Sequence, residues 1–265
     1  MRTVNDVLGR AAGKQLQIRG RRPGEPFCED AETALIVGVG PGLGYALARK
    51  LSGGGMKVAL ASRNAEKLDP LAADLNGCGG SVNAYGCDAT DERSVQALMP
   101  LIVRDLGIPN LVVYSLQEFP AGQVIDTEVA AFEEAWRANC LGAFIVGRES
   151  ARLMVPRGRG TIVFCGATSG TIGRAGYANL AVGKFGLRAL SQAMARELWT
   201  KGVHVTHLVI DAGITEEAVA ARNAPRTMYP NDLAELIYFL HIQPRSAWTL
   251  ELDARPWDEA FWEHC

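Results

Sequence analysis

The segment Gly38-Val-Gly-Pro-Gly42-Leu-Gly44 has residue types and spacing that suit the binding of a diphosphate. It follows an apolar run, Thr33–Val37, and precedes an alanine-rich stretch, Tyr45–Leu51. A strand, a glycine turn and a helix start bring free backbone N–H groups and the positive end of the helix dipole to one place. The spacing differs from Gly-x-Gly-x-x-Gly, but it still lets a pyrophosphate approach the backbone, so we predict dinucleotide binding. The predicted phosphate-binding residues are Gly38, Gly42, Leu43 and Gly44.

The next apolar run ends in Ser62, Arg63 and Asn64, which we predict to contact the adenosine ribose. An acidic residue here would bind the ribose 2′-hydroxyl of NAD, whereas a hydroxyl and a guanidinium suit a 2′-phosphate. The sequence therefore predicts NADP(H) rather than NAD(H). The alternative is that Arg63 is a solvated residue that caps the following helix. Asp88 and Ala89 follow the third run and are predicted at the adenine edge, although Asp88 as a helix N-cap would look the same.

Alternating strands and helices must position these residues. Such alternation predicts right-handed βαβ crossovers and a parallel sheet that is covered on both faces. The fold class is α/β, a single-domain Rossmann-type doubly wound sheet of about seven strands. The predicted strands are Ala34–Val39, Lys57–Ala61, Val82–Gly86, Asn110–Ser115, Thr161–Cys165, His204–Ile210 and Ala247–Leu252. The predicted helices are Leu43–Ser52, Ala65–Leu75, Asp91–Leu106, Ala130–Val155, Tyr177–Trp199 and Asn231–Leu240.

Composition bounds the class of protein. The chain has 265 residues, 48% of them hydrophobic, and a net charge of −2, which gives no reason to expect a nucleic-acid partner. No apolar run approaches the roughly 18 residues of a membrane helix, so no membrane partner is expected. The six cysteines show neither a CxxC pair nor a metal-ligand spacing, which predicts reduced thiols, no metal and a cytoplasmic location.

The first residues differ in composition from the rest. Residues 1–32 are rich in arginine and poor in acidic residues, and we predict a basic arm that precedes a dinucleotide-binding domain at 33–265. An organelle presequence is the alternative, because such segments are arginine-rich and acid-poor.

In their order along the chain, these features resemble the short-chain dehydrogenase/reductase family from Thr33 to Asp253. The resemblance implies a nicotinamide cofactor, a small-molecule substrate and assembly as a homodimer or homotetramer. The aromatic residues near the C-terminus would suit such an interface. The residues that carry the resemblance are the glycine loop, Cys87-Asp88, Asn139 in Asn-Cys-Leu-Gly, the strand from Gly160, Lys184 on a long helix, and Thr215, which matches a threonine near the nicotinamide.

Two positions depart from the family. The resemblance implies a tyrosine for proton transfer four residues before Lys184, with the lysine lowering the pKa of that tyrosine and holding the nicotinamide ribose. It also implies an upstream serine that orients the substrate oxygen. Here the tyrosine position is Leu180 and the serine position is Ala167, neither of which can exchange a proton. We therefore predict a divergent member that lacks the usual catalytic tyrosine and serine.

Two residues are candidates to replace the missing groups. Tyr177 lies seven residues before Lys184, on a similar helix face and about two turns, ~11 Å, away. Asp211, after the sixth strand, would lie beside the nicotinamide in a partly dry cleft, where its pKa would rise. A packing role for Tyr177 and a structural hydrogen bond for Asp211 are the alternatives. The predicted catalytic residues are Lys184, Asn139, Asp211 and Tyr177.

Three functions fit these patterns. The first is an NADP(H)-dependent oxidoreductase with a non-standard active site, acting on a carbonyl, an imine or a conjugated alkene. The second is a non-redox cyclase, isomerase or dehydratase, and the third is an inactive NADP(H)-binding protein. Substrate identity depends on a predicted mobile segment, Ala212–Tyr229, and on the loop after Leu116, in which Gln117, Glu118 and Phe119 are guessed to line the pocket.

Overall fold

The computed structural model describes residues 31–212, 214 and 227–259, and its centre is one parallel sheet of seven strands. The strand order is β3-β2-β1-β4-β5-β6-β7, so the chain moves outward from β1 to β3 and then crosses to β4. The strands are β1 Thr33–Val37, β2 Lys57–Ser62, β3 Ser81–Gly86, β4 Pro109–Tyr114, β5 Gly160–Cys165, β6 Val203–Ile210 and β7 Glu251–Ala254.

Helices cover both faces of this sheet. The α-helices are α1 Leu43–Gly53, α2 Asp69–Gly77, α3 Glu92–Asp105, α4 Val129–Trp136, α5 Gly142–Met154, α6 Ala178–Leu198 and α7 Pro230–His241. A π-helical segment, Arg137–Leu141, joins α4 to α5.

Successive strand residues alternate between two cores. In β1, Ala34 and Ile36 pack with α1, α2 and α7, whereas Leu35 and Val37 pack with α3, α5 and α6. All five residues of β1 and all eight of β6 are buried. Burial on both faces is why β1 is a near-continuous apolar run, whereas β6 also buries His204, Thr206 and His207.

The predicted fold class is confirmed, whereas three of the predicted elements differ from those observed. The helix predicted at Ala65–Leu75 is a 3-10 turn, Ala65–Lys67, followed by α2. The last strand was predicted at Ala247–Leu252 but lies at Glu251–Ala254. The upstream apolar residues serve packing instead, because the Trp248 ring stacks on His204 with centroids 4.9 Å apart. The helix predicted at Ala130–Val155 is interrupted by the π-helical segment, for which the buried contacts of Asn139 described below give the reason.

The strand order places a crevice between the carboxyl ends of β1 and β4. These strands are neighbours, but their crossovers leave in opposite directions, and ligands bind at such switch points in open α/β sheets. The predicted arm lies outside the described residues except for Ala31 and Glu32, and so does most of the predicted mobile segment Ala212–Tyr229. Within the described part of the chain, no helix is long and apolar enough to cross a membrane.

Candidate functional site

A cavity of about 770 Å³ lies at the carboxyl ends of β1 to β4. Its wall includes the glycine turn after β1, the residues after β2 and β3, and the start of the loop after β4. Its polar lining side chains carry both signs of charge: Ser62, Arg63, Asn64, Lys67, Asp88, Thr90, Ser115, Gln117, Glu118, Glu133, Glu134 and Arg137.

The glycine turn fits the approach of a diphosphate. Gly38 has a φ of +90°, and a Cβ there would lie 2.7 Å from the Leu116 nitrogen, so this position requires glycine. Gly40 also lines the cavity, and a Cβ there would meet no protein atom within 4 Å, so its missing side chain leaves open space beside the turn. The N-cap residue Gly42 brings no side-chain cap to α1, which leaves first-turn N–H groups for a ligand.

The predicted phosphate-binding residues occupy different depths. Gly38 lines the cavity, whereas Leu43 and Gly44 are buried where α1 begins, so any contact they make with a phosphate is through their N–H groups. Gly42 lies beneath Ile214, since a Cβ on Gly42 would be 3.1 Å from the Ile214 Cγ2. The segment after β6 thus contacts the start of α1.

The residues after β2 lie together at the cavity. The Ser62 hydroxyl donates to the Asn64 carbonyl at 2.8 Å, which shapes this turn. The Arg63 guanidinium is exposed and donates to the Glu118 carboxylate at 3.3 Å. Arg63 is therefore paired with an acid from the loop after β4 and does not simply cap the following helix.

Asp88 and Ala89 also line the cavity, after β3. The Asp88 carboxylate accepts from the Thr90 N–H and hydroxyl, at 2.9 and 2.8 Å. The N-cap of α3 is Asp91, whose side chain accepts from the Arg93 N–H. The alternative in which Asp88 caps that helix is therefore wrong.

Lys184 is held by main-chain oxygens. Its side chain is fully buried, and Nζ donates to the Cys165 carbonyl at 3.0 Å and to the Leu116 carbonyl at 3.3 Å. Burial lowers the pKa of Lys184 from 10.5 to about 8. The amine thus ties α6 to the ends of β5 and β4.

Asn139 lies in the π-helical segment and is fully buried. Its Nδ2 donates to the Glu118 carbonyl at 2.7 Å and to the Ala135 carbonyl at 2.9 Å. The Tyr114 hydroxyl donates to the Ala138 carbonyl at 2.6 Å, and burial raises the pKa of Tyr114. Side chains therefore satisfy carbonyls of the interrupted helix, a type of irregularity that is frequent at functional sites. Tyr114 itself is fully buried.

The two positions predicted to depart from the family pattern, Leu180 and Ala167, precede Lys184 in the chain. Leu180 is one turn earlier on α6 and is 4% exposed. Ala167 precedes the 3-10 turn Thr168–Gly170, directly after β5. Neither residue brings a titratable group to this region.

The two proposed replacements have structural partners. The Asp211 carboxylate is paired with Arg255, and its N–H donates to the Ala254 carbonyl, so it secures the end of β7. The Tyr177 ring stacks on Phe119 with centroids 4.7 Å apart, at the start of α6. Thr215 lies outside the described residues.

Sequence reasoning missed several charged groups. Lys67, Glu133, Glu134 and Arg137 line the cavity, and the spacing of Glu133 and Arg137 on one helix face was the only available signal. Gln117 and Glu118 line the cavity as guessed, whereas Phe119 packs on Tyr177.

A second polar cluster was also missed, between β6, β7 and α6. The Arg188 guanidinium donates twice to the Glu251 carboxylate, at 2.6 and 2.7 Å. The buried His207 donates from Nδ1 to the same carboxylate at 2.9 Å, because a carboxylate can only accept. Burial lowers the pKa of His207 although Glu251 opposes this, so the ring is neutral and structural near pH 7.

The structure describes four of the cysteines, all as free thiols. Cys78, Cys87, Cys140 and Cys165 are free, and burial raises the pKa of Cys87, Cys140 and Cys165. A search of residues 31–212, 214 and 227–259 finds no group of three or more potential metal ligands.

The sequence is similar to a known protein family and to curated members of known activity. Residues 32–226 match the family model described as short chain dehydrogenase. The sorbitol-6-phosphate 2-dehydrogenase of Escherichia coli (strain K12) is 31% identical over 182 residues, which cover 68% of this chain and 70% of that protein.

The fold is also similar to that of solved structures. A short-chain dehydrogenase from Rhodopseudomonas palustris is 35% identical, with a TM-score of 0.77, covering 85% of this chain and 99% of the other. A metagenomic short-chain oxidoreductase in complex with NADP has 23% identity and a TM-score of 0.74, covering 85% and 97% of the two chains. This chain, which matches the family model over residues 32–226, belongs to the short-chain dehydrogenase family.

Proposed function

We propose that this protein is an NADP(H)-dependent oxidoreductase with a non-standard active site. It transfers a hydride to, or from, a small organic substrate in which the reacting group is a carbonyl, an imine or a conjugated alkene. Family membership and the dehydrogenase relatives support the oxidoreductase class. A cytoplasmic location is part of this proposal.

The observation that carries the cofactor proposal is the end of β2. Ser62 and Arg63 line the cavity there, and neither bears the carboxylate that would select a ribose 2′-hydroxyl. A guanidinium binds a phosphate through charge-assisted, often bidentate hydrogen bonds. The metagenomic oxidoreductase, which shares the fold, is in complex with NADP.

The residues around Lys184 bear on which class of substrate the protein reduces. When bound, the nicotinamide supplies or accepts the hydride. Leu180 and Ala167 give the substrate oxygen no proton donor, and the Lys184 amine is already bonded to two carbonyls. An iminium or an activated alkene needs less acid assistance than a ketone, so we favour substrates of that kind.

Removing the guanidinium tests the cofactor. Arg63→Ala should raise the calorimetric Kd for NADPH about tenfold, which corresponds to ~1.4 kcal/mol, because charge-assisted hydrogen bonds to the 2′-phosphate are lost. Its effect on NADH should stay within about twofold. Arg196→Ala is the matched control, because Arg196 is an exposed arginine of α6 that bonds only within its helix.

A wild-type protein that bound NADH as tightly as NADPH would contradict the cofactor proposal. If nucleotide binds, a panel of ketones, imines and enones decides the reaction. Loss of nicotinamide absorbance with an imine or enone supports an oxidoreductase.

One second candidate is an NADP(H)-binding protein without redox turnover. It is favoured because the buried Lys184 amine is already bonded to two carbonyls and because Leu180 and Ala167 carry no hydroxyl. Saturable NADPH binding together with no turnover of the whole panel would favour it over the oxidoreductase. Turnover of a substrate at constant nicotinamide absorbance would instead indicate a cyclase, isomerase or dehydratase.

Restoring the missing hydroxyls tests the non-standard site directly. Leu180→Tyr with Ala167→Ser should raise the NADPH-dependent reduction of simple ketones at least about tenfold, because a phenol beside Lys184 acts as a general acid. Leu180→Phe with Ala167→Ser is the matched control, since it adds the ring without the hydroxyl. Thermal unfolding checks that both larger side chains are accommodated in this buried place. Equal rates for the two variants would mean that Leu180 does not face the substrate.

A further inference from the structure

The loop after β4, residues 115–123, crosses the cavity wall and is fixed from the α6 side. Its main-chain carbonyls at Leu116, Glu118 and Pro120 accept from Lys184, Asn139 and Asn179, at 3.3, 2.7 and 2.8 Å. The Gly122 N–H donates to the Gly176 carbonyl at 3.2 Å, and Phe119 stacks on Tyr177. The main chain that carries Glu118 is thus held in place at several points.

From this fixed position, the Glu118 side chain reaches toward the end of β2. Its Oε1 accepts from the Arg63 Nη2 at 3.3 Å, and both residues line the cavity. In the sheet, β1 lies between β2 and β4, so the ion pair spans the crevice above β1. The side chains are 69% and 38% exposed, which leaves the pair accessible to a ligand.

An exposed ion pair of this kind is weak, so a more highly charged anion can displace it. A 2′-phosphate, with a charge of roughly −1.5 to −2, would take the guanidinium only by breaking its ion pair with the Glu118 carboxylate. A ribose 2′-hydroxyl carries no charge and can donate a hydrogen bond to that carboxylate. The two nucleotides therefore meet Glu118 with opposite consequences.

We propose that Glu118 is a cofactor-specificity residue that competes with the nucleotide 2′-phosphate for Arg63. The carboxylate that the end of β2 lacks is supplied by the loop after β4, and it reduces the preference for NADP(H) over NAD(H). This inference rests on the proposed function, because it assumes that Arg63 binds the 2′-phosphate.

Calorimetric titration of the whole chain with NADPH and with NADH tests the competition. Glu118→Gln should tighten NADPH binding about threefold to tenfold, because the competing charge is removed while the side-chain size is kept. NADH binding should stay the same or weaken. Glu197→Gln is the matched control, since it removes an exposed carboxylate of α6 that does not line the cavity, and it should change NADPH binding by less than about twofold.

The same titration without Arg63 separates competition from simple charge repulsion. Arg63→Ala with Glu118→Gln should bind NADPH no more tightly than Arg63→Ala alone. The inference is overturned if Glu118→Gln leaves NADPH binding unchanged, tightens both nucleotides equally, or keeps its full effect without Arg63. If instead Arg63 does not bind the 2′-phosphate, so that the cofactor proposal itself fails, Arg63→Ala alone would leave NADPH binding unchanged.

Discussion

Lys184 is a buried lysine that main-chain carbonyls hold in place. The family resemblance implied a partner hydroxyl one turn earlier, but Leu180 occupies that position. The amine donates instead to the carbonyls of Cys165 and Leu116, which satisfies two oxygens at the ends of β5 and β4. Burial of this charge has a cost that depends on pH.

The sign of that dependence follows from the lowered pKa of Lys184, about 8 in the folded chain against 10.5 for an ordinary lysine. Below pH 8 the folded protein buries a charged amine and is destabilised. As the pH rises toward 10.5, the folded state loses its proton before the unfolded state does, so this cost disappears.

Denaturant unfolding of the wild type and Lys184→Met measures the effect. Between about pH 7.5 and 9.5, the free energy of unfolding of the wild type should rise relative to the variant by about 2 kcal/mol. Lys201→Met is the control, because it removes the amine of an exposed lysine from the same chain. A pH-independent gap for Lys184→Met would show that the lysine is not titrating in this window.

At the same residue scale, single positions differ in how far the sequence predicts them. Ser62 and Arg63 follow a strongly apolar strand, so their place at the cavity could be predicted from the pattern alone. The pairing of Arg63 with Glu118 could not, because it joins residues 55 positions apart and depends on how the loop after β4 is fixed. The Arg255 partner of Asp211 was hidden for the same reason, since it lies 44 positions away.

At the scale of elements, the periodic segments were predictable and their irregular junctions were not. The helix predicted at Leu43–Ser52 and the observed α1, Leu43–Gly53, agree to one residue because a glycine turn and an apolar face bound it clearly. The π-helical segment has no such signal. It depends on the hydroxyl of Tyr114 and the amide of Asn139, which satisfy carbonyls that a regular α-helix would bond internally.

The displaced last strand has a similar explanation. Strand propensity favoured Ala247–Leu252, but Trp248 stacks on His204 and Gln243 bonds both the N–H and the hydroxyl of Thr249. These contacts hold the residues in a connection. The ladder with β6 therefore begins at Glu251, opposite His207.

At the scale of the whole molecule, alternation of strands and helices predicts a parallel sheet covered on both faces, but not the neighbours of each strand. The structure shows that β4 lies beside β1, which creates the kind of switch point at which ligands bind in such sheets. That order brings Arg63 and Glu118 to one crevice, so the candidate cofactor site depends on topology as much as on its residues.

The outer surface formed by α5 and α6 remains apolar, although the sheet beneath it is fully covered. Phe144 of α5 is 41% exposed, and Val182 and Phe185 of α6 are 47% and 43% exposed. The two helices pack closely, since a Cβ on Gly147 of α5 would lie 3.1 Å from the Met194 Cε of α6. Exposed apolar side chains on neighbouring helices favour an interface between subunits.

We expect this surface to join two copies of the chain, in line with the predicted homodimer or homotetramer. Phe185→Glu should raise the dissociation constant of the assembly at least about tenfold, because it places a charge in an apolar interface. Size-exclusion chromatography with light scattering over a range of concentrations measures this. Ile125→Glu is the matched control, since Ile125 is 92% exposed in the 3-10 turn Val124–Asp126, which belongs to neither helix, and it should leave the assembly unchanged. A monomeric wild type, or equal masses for Phe185→Glu and the wild type at every concentration, would exclude this surface as the interface.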